Sequence, residues 1–490
     1  MNLAIVIRLQ GLILRALAAA FALCLGVAWL HRAAAGEAAA RAAFGFCLIL
    51  TLALAVACQV FGRAGGRTLF RREALAVIGL GWLLASLLGA LPYLLTVPGM
   101  GLADAIFESA SGFTTTGATV LADLDALPRS LLFWRALTQW VGGLGVVVFL
   151  VAILSFLGAG AKVLFARESS AQAADLDTSR VQQGVLRLIA LYLGLSGACG
   201  LAYWLAGMTP YEAVTHLFTT VSTGGFSTRT GSMADFNSPL IEWLAVLFMA
   251  LGGTAFPILL RLLRGDGRAL WRSTEVRAYY AVLVWASLLV ALVLKLDPRL
   301  AYGWGESLRA GTFQVVSIMT TTGYASADFD QWLPVTHFLL FALMLTGGCT
   351  GSTAGGAKVL RIVIALKVCA QQVEKAYRAR VVRPLNVNGK YLRPEDQEAV
   401  LVFMVLLGVV LFSGTMLLAI LEPGMSFEGS FSALAAALFN VGPGFAEVGP
   451  LRNYAGLLDA SKLALAFFMI LGRLEFFALL ALFAPGMWRR

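Results

Sequence analysis

Charge is in short supply: Asp, Glu, Lys and Arg make up 13% of the 490 residues, against about 25% in an ordinary soluble protein. A chain this poor in charge cannot clothe itself in solvated side chains, which excludes a water-soluble globular domain. Histidine is nearly absent, with His31, His216 and His337 the full set. None has a companion at ligand spacing, so they read as packing or interfacial residues. The six cysteines (Cys24, Cys47, Cys58, Cys199, Cys349 and Cys369) contain no C-x-x-C pair, and five lie in or beside apolar runs. They read as small core hydrophobes, not as ligands or disulfides. Also missing are Gly-x-x-x-x-Gly-Lys-[Ser/Thr], Gly-x-Gly-x-x-Gly, His-Glu-x-x-His and Gly-x-Ser-x-Gly. Their absence removes the phosphate cradle, the dinucleotide turn, the zinc helix and the nucleophile elbow. No enzyme and no bound cofactor is expected, and any nucleotide control must come from a partner.

What is abundant is apolar surface, 59% of the chain. A membrane-crossing helix needs about 20 apolar residues, and such stretches occur near 10–30, 39–61, 74–96, 132–157, 185–206, 239–263, 277–296, 335–357, 398–420 and 463–483. The first could imitate a secretory signal, with Arg8 and Arg15 ahead of it, but it is long for one and a second stretch follows at once, so it reads as a span. Shorter apolar segments near 102–115, 210–222, 305–321 and 427–440 fit re-entrant pieces. The basic residues are sorted: with the N-terminus inside, 26 of the 37 Lys and Arg fall on cytoplasmic segments. This places both termini in the cytoplasm and explains the net charge of +10 by lipid and topology, without nucleic acid.

One pattern returns four times: a span, a half-length apolar segment, a Gly-centred polar tract, and a second span. The tracts are Ser111–Thr119, Val221–Thr228, Met319–Ser326 and Phe439–Phe445, with central glycines read at Gly117, Gly224, Gly323 and Gly442. All four face the same side by the charge rule, which suggests a ring about an axis. The expected fold is an all-α polytopic membrane protein: four pseudo-symmetric span, re-entrant pore helix and span units around a central pore. Two N-terminal spans in 1–70 pack on its edge, and the units run over 71–165, 180–270, 271–385 and 394–490.

Irregular backbone at membrane depth survives only where protein or water satisfies its polar groups, so the tracts need a lined cavity. Thr and Ser bring hydroxyl oxygens, and Gly lets successive carbonyls turn without a Cβ clash. A ring of carbonyls replaces the hydration shell of a monovalent cation, and each half-helix would aim its negative C-terminal end at it.

The tracts Thr-Thr-Thr-Gly-Ala-Thr, Ser-Thr-Gly-Gly-Phe-Ser and Thr-Thr-Thr-Gly-Tyr-Ala, with Gly472-Arg-Leu-Glu-Phe-Phe477, resemble the Trk/Ktr/HKT superfamily of potassium transporters. The two extra N-terminal spans and the length make the chain most similar to the bacterial TrkH/TrkG branch. The resemblance covers essentially the whole chain. It implies potassium ion as substrate, a homodimer in the bacterial inner membrane, and a cytoplasmic nucleotide-binding regulator of the TrkA type. Carried over by position, the filter would be Thr115, Thr116 and Gly117; Ser222, Thr223 and Gly224; Thr321, Thr322 and Gly323; and Asn440, Val441 and Gly442. Glycine at all four central positions implies K⁺ over Na⁺. The fourth tract departs from the pattern, because Asn440, Val441 and Pro443 replace hydroxyl positions and break the fourfold symmetry.

Two features lie below the filter. Arg473 sits within an apolar run, where a charge is costly unless it faces a cavity or a partner. It reads as a barrier in the pore, or as the partner of a carboxylate such as Glu475. The segment Thr346–Ala357 packs Gly347, Gly348, Gly351, Gly355 and Gly356 into twelve residues, and at about 1 kcal/mol per helical glycine the helix should break. In the family this stretch is a pore-obstructing loop, which implies a gate at Gly347–Gly356; close helix packing by small residues is the alternative. Lys358 follows and could neutralise a helix C-terminus or a carboxylate. The polar stretch Gln371–Gln397 could dock a regulator or meet anionic lipid.

A secondary transporter of an organic solute would show inverted halves and midplane ionisable residues, and a membrane enzyme would need a nucleophile or metal set; neither pattern is here. Channel-like flux and H⁺ or Na⁺ coupling both stay open, since the proton-accepting candidates Glu108 and Glu212 sit near the outer half.

Overall fold

The computed structural model describes residues 1–63, 70–156, 178–378 and 384–488, with backbone alone at 147–156, 178–182 and 390. Several of the basic residues that carry the charge sorting (Arg67, Lys162, Arg167, Arg380, Arg383, Arg489 and Arg490) lie outside the described residues. The architecture is all-α; among the described residues the strands are a two-residue hairpin, Asn386–Val387 against Lys390–Tyr391.

The N-terminal helices Leu3–Leu30 and Glu37–Phe61 lie along one another and dock on the helix Arg129–Phe156. The seam is aromatic: Phe21 and Phe44 meet Trp134 with ring centroids 4.7 and 6.3 Å apart. Glu37 then caps that helix, accepting the amide of Ser130 at 3.0 Å and its hydroxyl at 2.5 Å. A buried carboxylate on orphan donors at a helix start is favoured by both hydrogen bonding and the helix dipole.

The remaining helices repeat the expected unit four times. The leading helices are Arg71–Gly89 (continued by Leu91–Thr96), Thr178–Leu205, Thr274–Leu296 and Pro394–Leu421. The pore helices are Leu102–Phe113, Pro210–Val221, Trp304–Met319 and Phe427–Leu438. The trailing helices are Arg129–Phe156, Pro239–Gly252, Pro334–Thr346 and Asp459–Arg473. Local chemistry starts the pore helices: Thr209 and Glu212 form a reciprocal capping box, and the Ser426 hydroxyl accepts the Gly429 amide at 3.0 Å.

Three of the ten apolar stretches are not continuous helices. The stretch 239–263 turns by 104° between Gly252 and Phe256, and 463–483 turns by 112° after Arg473. The stretch 335–357 stops at Thr346 and resumes as the helix Val359–Tyr377. Apolar composition does not report the two bends, whereas the third break falls at the five glycines of 346–357, where the sequence predicts it. Beside the last bend, a Cβ on Gly472 would overlap the Leu438 carbonyl. The fourth trailing helix then ends on Glu475 and Phe476, held at φ 51° and 67°. Among the described residues six helices are long and apolar enough to cross a membrane, or up to eight if each bent pair is one span.

Candidate functional site

Each pore helix ends in the same way. Its C-cap is Thr114, Ser222, Thr320 or Phe439, and the next residue turns left-handed: Thr115 at φ 54°, Thr223 at 54°, Thr321 at 56° and Asn440 at 56°. An L-residue pays roughly 1–2 kcal/mol for that conformation, so these four strained residues exist because the surroundings impose them. Asparagine tolerates the left-handed region better than most residues, which accounts for Asn440 in the tract that departs from the Thr pattern. Two residues on, a glycine again takes positive φ: Gly117 at 86°, Gly225 at 80°, Gly323 at 78° and Gly442 at 102°.

This register corrects the sequence reading of the second tract. Gly225, not Gly224, matches the other three central glycines, and Ser222 is the helix cap, so the equivalent triplet is Thr223, Gly224 and Gly225. The hydrogen bonds agree: Thr116, Gly224, Thr322 and Val441 donate their amides to Ser111, Thr219, Ser317 and Ala436 at 2.9, 2.8, 2.8 and 2.9 Å. Ser-Thr-Gly-Gly offers two glycines for one slot, and the backbone decides between them.

The four tracts close into a ring. A Cβ on Gly117 would overlap the Gly224 carbonyl oxygen, one on Gly225 that of Thr322, and one on Gly323 that of Val441. One on Gly442 would stand 2.7 Å from the Thr116 carbonyl oxygen. Tract one therefore abuts two, two abuts three, three abuts four and four returns to one, so any side chain at these glycines would displace backbone. The ring floors a vestibule of about 120 Å³, lined by all four glycines with Arg229 and Arg452 among its walls.

Side chains from outside the tracts hold them. Glu108, fully buried, pairs with Arg135 at 2.8 Å and accepts the Val120 amide at 3.0 Å. Arg135 reaches the Ser227 carbonyl at 3.0 Å, tying the first repeat to the second. His216 bonds the Ser227 hydroxyl at 3.1 Å. Tyr454 donates to the Gly442 carbonyl at 2.8 Å, and the Asn440 amide nitrogen donates to the Thr116 hydroxyl at 3.0 Å and the Met469 carbonyl at 2.9 Å. Gln139 donates to the Gly224 carbonyl at 2.6 Å and accepts the Phe226 amide at 3.1 Å. Glu108 and Glu212 are thus both engaged, the latter with Arg229 at 2.6 Å.

The glycine-rich segment packs beneath the ring as a loop. Gly347, Gly351 and Gly356 take positive φ, and so does Lys358 at 76°. The Thr353 hydroxyl donates to the carbonyls of Val221 and Gly252, each at 3.1 Å, and accepts from the Thr223 hydroxyl at 3.3 Å. The Gly355 amide donates to the Thr321 hydroxyl at 2.6 Å, and the Gly356 amide to the Phe439 carbonyl at 3.1 Å. The loop therefore touches the ends of the second, third and fourth pore helices. A Cβ on Gly348 would meet Ala354, and one on Gly355 would overlap the Phe439 carbonyl. Below, the buried Glu275 carboxylate accepts the amides of Thr350 at 2.6 Å and Leu360 at 3.2 Å. Lys358 is buried and donates to the Ala354 carbonyl inside the loop.

Arg473 is buried and donates one Nη1 bond, 2.9 Å to the Thr353 carbonyl; its Nε and Nη2 find no hydrogen-bond partner among the described residues. Glu475, the carboxylate considered as its partner, pairs with Arg361. Sequence reasoning passed over Arg135, Gln139, Glu275, Thr353 and Tyr454. Arg135 and Gln139 carried a signal, since polar groups in an apolar run are expensive unless they face a site.

A model of the TrkH family, described as a cation transport protein, matches residues 48–489. The chain is 35% identical over 489 residues to a Trk system potassium uptake protein TrkH of Vibrio parahaemolyticus, covering 99% of each. It is 33% identical over 468 residues to the protein of the same description in Escherichia coli, covering 94% of each. Its structure is similar to the crystal structure of the potassium transporter TrkH from Vibrio parahaemolyticus, with a TM-score of 0.90, 33% identity and 100% of both chains covered.

Proposed function

This chain belongs to the TrkH family of cation transport proteins, and from that premise we propose that it takes up potassium ions across the bacterial inner membrane, through the ring of Gly117, Gly225, Gly323 and Gly442. It is a transporter and not an enzyme, with potassium as its substrate. The observation that carries the reading is the closed cycle of glycine-to-carbonyl contacts, which leaves no room for a side chain at any of the four positions. Backbone carbonyls at this ring take the place of the ion's hydration water. The pore helices end directly under it, and their C-terminal partial charges favour a cation there.

The loop Gly347–Lys358 is the gate, supported by its hydrogen bonds to Val221, Thr321 and Phe439. Arg473 is the electrostatic barrier, supported by its burial and by Nε and Nη2, which have no partner among the described residues. The repeats run over 71–165, 180–270, 271–385 and 394–490, and both termini are cytoplasmic. Assembly as a homodimer and control by a TrkA-type nucleotide-binding regulator follow from the family resemblance, and the basic stretch 371–397 offers that regulator a surface.

Uptake of ⁸⁶Rb⁺ into K⁺-loaded proteoliposomes holding the protein tests this reading. External K⁺ should suppress the uptake at concentrations where Na⁺ does not. Equal suppression by the two ions would refute a potassium filter.

A further inference from the structure

We propose that Gln139 is a positioning residue of the filter: it stands in for the side chain that the second tract lacks at Gly224, and it fixes the peptide groups on both sides of Gly225. The inference rests on the reading of the ring as the filter.

Thr116, Gly224, Thr322 and Val441 occupy equivalent positions in the four tracts. In the first and third tracts the threonine hydroxyl ties the tract to its own helix cap, Thr116 to Thr114 and Thr322 to Thr320, each at 2.7 Å. Gly224 has no group to do this. Its place is taken from outside: a Cβ on Gly224 would overlap the Cδ and Oε1 atoms of Gln139. Gly224 is absent from the positive-φ glycines, so its backbone would accept a side chain. The neighbour that fills the space is Gln139.

The amide does more than fill space. Its Nε2 donates to the Gly224 carbonyl at 2.6 Å and its Oε1 accepts the Phe226 amide at 3.1 Å. Those are the peptide groups immediately before and after Gly225. One planar side chain, fully buried, therefore brackets the filter glycine and satisfies both of its own polar atoms. The Gly224 carbonyl is also the group against which Gly117 packs, so Gln139 sets the contact between the first and second tracts as well.

The other repeats show that this is a local device. Gln139 lies three residues before Gly142, the glycine pressed on the last carbonyl of its pore helix, Phe113; Gly472 is pressed on the Leu438 carbonyl in the same way, and Gly252 lies more loosely by the Val221 carbonyl, 3.3 Å from where a Cβ would stand. Three residues before those stand Met249 and Met469, both buried. An amide at a methionine position is costly unless bonded, and here its bonds go to the one tract with glycine in the threonine slot.

The test is ⁸⁶Rb⁺ uptake into proteoliposomes, read as the ratio of Na⁺ to K⁺ concentrations that halve it, for the wild type, Gln139→Met, Gln139→Ala and the double variant Gln139→Ala with Gly224→Thr. The single variants should keep uptake while the ratio falls roughly 3- to 10-fold, the effect of one or two lost hydrogen bonds. The double variant, which gives the second tract the threonine of the first and third, should recover a higher ratio. Ratios unchanged in both single variants would overturn the proposal. Loss of uptake in Gln139→Ala that the added threonine does not relieve would overturn it too, leaving Gln139 a packing residue. Loss relieved by the threonine would support it. A wild-type protein equally blocked by Na⁺ and K⁺ would instead bring down the filter reading itself.

Discussion

Placing one methyl group at Gly225 and, separately, at Gly224 is the sharpest test of the ring's register. At Gly225 the backbone is left-handed, φ 80°, and an L-residue there costs roughly 1–2 kcal/mol, a factor of about 5–30 in the population of the closed geometry. That strain alone is survivable, since Thr115, Thr223, Thr321 and Asn440 already bear it. What Gly225→Ala adds is overlap between its Cβ and the Thr322 carbonyl oxygen. Both are tied to backbone, so no rotamer relieves it, and the third tract must move with the second. Gly224→Ala meets Cγ, Cδ and Oε1 of the Gln139 side chain, which can rotate aside where backbone cannot. In the ⁸⁶Rb⁺ assay Gly225→Ala should therefore lower uptake at least about tenfold, whereas Gly224→Ala should keep most uptake and lose discrimination against Na⁺. Adding Gln139→Ala should make room for the alanine at 224 and do nothing for the alanine at 225. If Gly224→Ala proved the more damaging of the two, the register argued from the backbone would be wrong.

Three further outcomes follow from the same geometry. Arg473→Ala should raise cation flux tenfold or more, because a buried unit charge opposing a cation costs on the order of 2 kcal/mol at an effective dielectric of about 20; unchanged single-channel or vesicle flux would remove Arg473 from the pore. Glu275→Gln weakens two charge-assisted bonds to the loop, from Thr350 and Leu360, each worth about 1.5–3 kcal/mol. Uptake without any regulator should rise, and a rate equal to wild type would show that this carboxylate does not hold the loop shut. Tyr454→Phe removes the bond to the Gly442 carbonyl at 2.8 Å but keeps the ring packed on Phe107 at 5.3 Å. A few-fold gain in Na⁺ competition with little change in thermal stability is expected, and the reverse pattern would make Tyr454 a packing residue.

Local pattern determined a good deal of this protein. Runs of about 20 apolar residues marked the helices, and the recurrence of half-length segments before Gly-centred tracts marked the fourfold unit, because periodicity and dihedral freedom are written residue by residue. A charge inside an apolar run singled out Arg473, and five glycines in twelve residues singled out the loop at 347–356. Tertiary structure decided what depends on which helices lie side by side. The slot filled by Gly225 is defined by the Thr322 carbonyl it abuts, and nothing within Ser-Thr-Gly-Gly distinguishes the two glycines. The partner of Glu475 proved to be Arg361, 114 residues away, and Gln139 reaches a tract 85 residues on. The bends after Gly252 and Arg473 leave hydropathy untouched, since apolar residues continue on both sides of them. Sequence alone determined the parts and their repetition; the hydrogen bonds that hold the ring exist because folding brings distant helices within about 3 Å of one another.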